Sequence, residues 1–400
     1  MREPRPVTRI EVSEKNKKIR QILIIVLLAV AVVAITTGIM SVLNKDTGWQ
    51  SVQITTEERN CSQNFIFQYN FSGSGAEATA VNKQLEAAYA EASVKAYQLF
   101  TVDEEIQGVN NIYHINRHVN EEITVDPVLY EAFSKLEGTR WLYLGPVYAH
   151  YNHLFYGASE EYVAQLDPAL NTDAAQFVAR AASFAADEGA IHMELLGDNR
   201  IKLHVSQEYL AFAQAEEIEN FIDFSYMTNA FVIDYLAASI QALGLTEGYF
   251  VSVDGYTRNL DMGNSYSMNL FDRADNMLYP AGVMHYRGPA SIVYLKNYPT
   301  AESDSMYRVS GDHIVFPYVD VADGMYRSST DNLVSYSYDL GCADVLLQIL
   351  PSFIADDFAV PENVYSVWFE GSTLCYNDPA ITVTDLLVQE DVAYNAVLKK

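Results

Sequence analysis

The chain has 400 residues, half of them hydrophobic and 19% charged, which is the composition of a globular protein and excludes a disordered one. Its formal net charge is −27, and so acidic a surface repels phosphate backbones, which excludes DNA and RNA as partners. The charge is uneven: residues 1–20 hold seven Lys or Arg against three Asp or Glu, leaving about −31 on the rest.

In chain order, residues 1–21 form a basic tail, and Ile22 to Leu43 contain no charge and are mostly Ile, Leu, Val and Ala. Twenty-two apolar residues at about 1.5 Å each cross roughly 30 Å of hydrocarbon. Lys15, Lys17, Lys18 and Arg20 just before the run predict a cytoplasmic N-terminus. The competing reading is a cleaved signal peptide, but the run is too long for an ordinary h-region and no A-x-A site follows it. The expectation is an uncleaved signal anchor at 22–43, single-pass in the cell membrane, with a polar stalk over 44–60 and an extracytoplasmic domain over 61–400.

Within that domain, Asn64 to Phe71 reads as a strand, followed by a turn at Ser72–Gly75 and an Ala-rich helix from Ala76 to Leu99 with apolar residues at helical spacing. A helix over Pro127 to Leu136 has Asp126 as N-cap and Pro127 at N1. Another covers Thr172 to Glu188. Met193–Leu196 and Ile201–Val205 flank Gly197-Asp198-Asn199 and predict a hairpin. Asn229 to Leu243 is a helix stopped by Gly244, and Tyr249–Val253 a strand ending at an Asp254-Gly255 turn. Strands follow at Ser291–Leu295, His313–Phe316 and Leu333–Tyr338, then a helix over Cys342 to Leu350. Strands and helices alternate without a βαβ rhythm, so the predicted class is α+β.

Cys61, Cys342 and Cys375 form no C-x-x-C pair, and buried free thiols are preferred to a disulfide. His150 and His153 are spaced i, i+3 but have no carboxylate at the complementary spacing; packed histidines are preferred to a metal pair. The P-loop, G-x-G-x-x-G, G-x-S-x-G and H-E-x-x-H motifs are absent.

Residues 223–234, D-F-S-Y-M-T-N-A-F-V-I-D, lead into a helix, a glycine, a strand and Asp254-Gly255. This order resembles the FAD:protein FMN transferase (ApbE) family, in which D-L-G-G-[IV]-A-K-G-[YF]-A-[VA]-D precedes a helix, a glycine, a strand and a Gly-Gly turn. Asp223 and Asp234 align with its aspartates. Ile115-Asn116, Val125–Leu129 and Gly138 with Gly145-Pro146 are similar to its L-N, V-x-P-E-L and G-A-F-D-P-T-V-G-P stretches. His313–Pro317 resembles its H-I-I-D-P, and Cys342–Gln348 its A-D-A-L-S-T. These matches span about residues 50–395.

The resemblance implies an ApbE-like fold and, by family, FAD and Mg²⁺ as ligands. It places Asp344 and Gln348 on Mg²⁺, with Gln348 where the family has Thr, and Asp223 and Asn229 on FAD. Other positions depart from the pattern. Ser225 and Tyr226 replace two glycines, Asn229 a lysine, Asp254 a glycine and Phe316 an aspartate; I-V-Y-L-K-N-Y stands where T-S-G-D-Y is expected. Two readings remain open. One is a membrane-anchored, non-catalytic relative that binds a partner or another ligand. The other is a divergent active transferase that flavinylates Ser or Thr of an FMN-binding membrane redox subunit.

Overall fold

The computed structural model describes residues 47–274, 277–301, 304–389 and 392–399. The expected basic tail and membrane anchor lie outside them, and among the described residues no helix is long and apolar enough to cross a membrane. The described residues divide into two units: 47–50 with Asn70–Gln84, and Ser51–Tyr69 with the residues from Leu85 onward. In the first, Ser74 starts a helix through a reciprocal pair with Glu77: the Ser74 amide donates to Glu77 Oε2 at 2.7 Å and the Glu77 amide to Ser74 Oγ at 3.4 Å.

The strands are β1 (Gly48–Ser51), β2 (Phe65–Phe71), β3 (Glu122–Thr124), β4 (Ile191–Gly197), β5 (Arg200–Val205), β6 (Gly248–Ser252), β7 (Tyr256–Asn259), β8 (Ser265–Ala274), β9 (Met277–Arg287), β10 (Ser291–Lys296), β11 (Arg308–Ser310), β12 (His313–Val315), β13 (Asn332–Ser337), β14 (Tyr365–Glu370), β15 (Thr373–Tyr376), β16 (Thr382–Thr384) and β17 (Asn395–Leu398). The main helices are α1 (Gly75–Phe100), α2 (Ile112–Arg117), α3 (Pro127–Lys135), α4 (Gly145–Phe155), α5 (Glu160–Leu166), α6 (Thr172–Ala186), α7 (Gln207–Ala215), α8 (Thr228–Gln241) and α9 (Cys342–Phe353). The segment expected as a stalk contains β1, and Val52 directly after it is buried.

In the larger unit a sheet runs β2-β6-β7-β10-β13-β14-β15-β17, antiparallel except at β15–β17. Its centre is covered on both faces. Ile292 and Tyr294 of β10, Val334 and Tyr336 of β13 and Val367 of β14 pack with Leu270 and Met284 of the long β8–β9 hairpin. The other face carries α9, which packs on β10, β13, β7 and α8. Strands buried on both faces read as continuous runs instead of alternating ones, and every residue of β10 and β13 is buried. The hairpin β4–β5 turns through Asp198 and Asn199, both left-handed at φ 53° and 60°, the geometry that asparagine and aspartate tolerate best.

Asp126 caps α3 as expected, its Oδ1 accepting from the Val128 amide at 3.0 Å with Pro127 in the first turn. All three cysteines are free and buried. His150 Nε2 lies 2.6 Å from the Leu166 carbonyl, which makes it a packed histidine.

Candidate functional site

The backbone at 220–229 is fixed before any ligand chemistry begins. Asn116 of α2 is buried, and its Oδ1 accepts from the amides of Phe221 and Ile222, both at 2.9 Å. Its Nδ2 donates to the Ile222 carbonyl at 2.9 Å. At the start of α4, Gly145 comes so close that an added Cβ would stand 2.5 Å from the Asn220 oxygen, which explains the glycine there. Two residues on, Asp223 Oδ1 accepts the Ser225 amide at 2.7 Å and the chain turns with Ser225 at φ +46°. The resemblance implies a glycine at this position; here a serine carries the left-handed turn. Burial pushes the Asp223 carboxyl up to about 6, against the Ser225 hydrogen bond that favours its ionised form.

Tyr226 follows. Its ring is buried edge-on between Tyr148, at a centroid distance of 5.9 Å, and Tyr318, at 5.1 Å. It forms a wall of a cavity of ≈ 310 Å³ that Asn229, Asp254, Tyr256, Lys296 and Asp304 also line. Of the residues that sequence reasoning singled out as ligand or metal contacts, the cavity takes Asn229 and leaves Asp223, Asp344 and Gln348 outside its walls.

Asn229, Asp254, Lys296 and Asp304 of this cavity are each engaged with neighbouring side chains, whereas the buried Tyr226 hydroxyl has no partner among the described residues. Asn229 Nδ2 donates to Asp254 Oδ2 at 2.9 Å, and Ser252 Oγ to Asp254 Oδ1 at 2.5 Å. Asn64 Nδ2 reaches Asn229 Oδ1 at 3.4 Å. Burial drives the Asp254 carboxyl up to about 6, although Ser252, Asn229 and Lys296 all favour the anion. Lys296 donates to Asp304 Oδ2 at 2.7 Å and to the Thr300 hydroxyl; the Lys296 and Asp304 side chains are only 8% and 11% exposed. The charged lining is therefore two carboxylates and one ammonium that is already paired. A dinucleotide brings two more negative charges, and the volume is at the lower end of the about 300–1,000 Å³ that ligand pockets span. FAD's diphosphate does not fit these residues as they stand.

The expected metal ligands sit at the start of α9. Asp234 of α8 caps this helix from outside: its two oxygens accept the amides of Cys342 at 2.8 Å and Ala343 at 2.9 Å. A Cβ on Gly341 would collide with that carboxylate. Burial raises the Asp234 carboxyl, with the two amides, Arg258 and Lys135 pulling the other way. Asp344 Oδ2 lies 2.6 Å from Lys135 Nζ of α3. One turn later Gln348 Oε1 is buried with no hydrogen-bond partner. Mg²⁺ asks for about six hard oxygens in octahedral array. One orphaned amide oxygen and one carboxylate already holding an ammonium fall short of that. Among the described residues, no group of three or more His, Cys, Asp or Glu side chains could hold a metal ion.

Lys135, Lys296 and Asp304 were missed in the sequence. Lys135 meets Asp344 across 209 positions, with no local signal. The signal for Lys296 was a lysine closing the otherwise uncharged run S-I-V-Y-L.

The site thus stands on an α+β sheet flanked by α8 and α9, with residues 223–227 leading into α8. No family model and no curated protein matches the chain. Among solved structures it is similar to the ApbE protein of Thermotoga maritima, with a TM-score of 0.51 and 11% identity over 84% of this chain and 97% of that one. It is also similar to a mutant of the flavin transferase ApbE from Vibrio cholerae, with a TM-score of 0.46 and 9% identity over 80% and 92%. The Thermotoga match establishes the ApbE fold, and at that identity the fold alone.

Proposed function

We propose that this chain is a membrane-anchored protein of the ApbE fold whose former dinucleotide site no longer transfers flavin, and whose domain binds a partner or a different ligand outside the cell. The observation that carries this is the cavity behind Tyr226, with Asp254 and Asp304 facing a lysine that is already committed. The family cation expected at position 229 is an asparagine, and both ends of its amide are used by neighbouring side chains. The anchor is residues 22–43, read from their uncharged sequence. Tethering keeps the domain beside membrane complexes and raises its encounter rate with them.

A second reading, a divergent active transferase, has one observation in its favour: the buried, unpartnered Gln348 Oε1 one turn after Asp344. In that case Asp344 and Gln348 hold Mg²⁺, Asp223 and Asn229 contact FAD, and the acceptor is an FMN-binding redox subunit. The full-length protein, mixed with FAD, Mg²⁺ and an FMN-accepting domain, separates the two. Mass spectrometry of the acceptor is expected to find no added FMN, and FAD fluorescence is expected to stay unquenched at micromolar protein. Covalent FMN on the acceptor would establish the second reading instead.

A further inference from the structure

We infer that the Lys135 ammonium takes the place of a divalent cation at Asp344, so that this corner of the domain carries its counter-ion in its own chain and needs no metal. This goes beyond the binding role proposed above and does not depend on it.

Several observations converge. Lys135 ends α3 and its Nζ lies 2.6 Å from Asp344 Oδ2, a close, charge-assisted contact. The two side chains are 27% and 30% exposed, so the pair is partly withdrawn from solvent, where an unpaired carboxylate is costly. The same ammonium also favours the ionised form of Asp234, the cap of α9, so one lysine serves two carboxylates. Lys135, Asp234 and Ala343 line a cavity of ≈ 130 Å³ together. Arg258 is the other cation acting on Asp234, and its guanidinium is bonded to Ser291 Oγ and to the Leu340 carbonyl. Gln348 Oε1, buried and without a donor, is the oxygen that an ion could use and that a single lysine leaves unserved.

A divalent ion and a lysine both neutralise carboxylates, but they differ in what they allow. An ion has further coordination positions open to a substrate's oxygens. An ammonium has three donors and no such positions. The substitution therefore keeps the electrostatic support of the helix start and removes the means of polarising a phosphate.

The test uses full-length protein and cations alone, with no flavin. Thermal unfolding is followed in EDTA, in millimolar Mg²⁺ and in millimolar Mn²⁺, and free Mn²⁺ is counted by electron paramagnetic resonance. The wild type is expected to show the same Tm in all three and to leave Mn²⁺ free. Lys135→Met, which unpairs Asp344, is expected to melt about 2–4 °C lower in EDTA and to recover on adding Mn²⁺. The inference is overturned by wild-type Mn²⁺ binding that Asp344→Asn abolishes. It is overturned equally by a folded Lys135→Met protein indifferent to cations. If Lys135→Met does not fold, the wild-type Mn²⁺ count with its Asp344→Asn control decides alone. A protein that binds FAD without a cation refutes the proposed function and leaves this inference standing; one that binds Mn²⁺ at Asp344 but no FAD does the reverse.

Discussion

Replacing Asp254 by asparagine should stabilise the protein at neutral pH. Burial has raised its carboxyl from an ordinary 3.8 to about 6, so ionising it is harder in the folded chain than in the unfolded one. For a raised group, the favourable contribution is complete below about 3.8 and is lost as the pH rises through about 6. Above that, the folded state holds a reluctant anion at a penalty of about 3 kcal/mol, from about 1.4 kcal/mol for each pH unit between the two values. Asp254→Asn removes the charge while preserving shape. Its Oδ1 still accepts from Ser252, and a rotated Asn229 amide can accept from its Nδ2. With about 2.1 cal/mol/K of unfolding entropy per residue over roughly 350 residues, 3 kcal/mol corresponds to a Tm about 4 °C higher. Thermal unfolding at pH 7.5 should show that gain; at about pH 3, below both values, where the wild-type side chain is neutral in the folded and the unfolded chain alike, the two proteins should agree to within about 1 °C. A variant that melts below the wild type at pH 7.5 would refute the reasoning. It would mean that the hydrogen bonds from Ser252 and Asn229 to the anion outweigh its desolvation.

Asn116→Ala removes the acceptor shared by the Phe221 and Ile222 amides; orphaning two buried N–H groups should cost about 3 kcal/mol, read from urea unfolding, and a loss below about 1 kcal/mol would show that water replaces the clamp. Ser225→Gly should gain about 0.5–1 kcal/mol, because a left-handed residue with a Cβ costs about 1–2 kcal/mol and glycine returns part of that as unfolded-state entropy. A destabilised variant in the same urea assay would mean that the serine side chain outweighs its backbone strain. Asp234→Ala should cost about 2–3 kcal/mol by uncapping α9, and Asp234→Asn, which keeps one acceptor, about half as much; equal losses would put the effect in the charge instead of the cap.

Much of the frame was legible because its signals are local. Asp126 with Pro127, the Gly197–Asn199 turn, and the strands 291–296 and 332–337 each announce themselves within a few residues. Expected and observed ends of these elements differ by at most two residues, where element ends fray. The hairpin β8–β9 escaped notice because its alternation is broken by Pro280 and Gly282. Helix α4 escaped because its Y-A-H-Y-N-H-L-F stretch is apolar on too many sides to show one clear face. Local sequence also placed the family-like positions in order. It did not tell which of them would meet: Asn229 joins Asp254 at the cavity, whereas Asp223 and Asp344 face other partners. Pairings between residues a hundred or more positions apart, such as Lys135 with Asp344, are decided by tertiary packing and leave no periodic trace.

Asn116, Gly145 and the Asp223 turn hold the path of residues 220–225, and none of the three lines the cavity. Support and recognition are thereby separated. Side chains on the cavity wall can be exchanged while the main chain behind them keeps its course, so selection, or an engineer, can rewrite what this pocket accepts without having to redesign the scaffold.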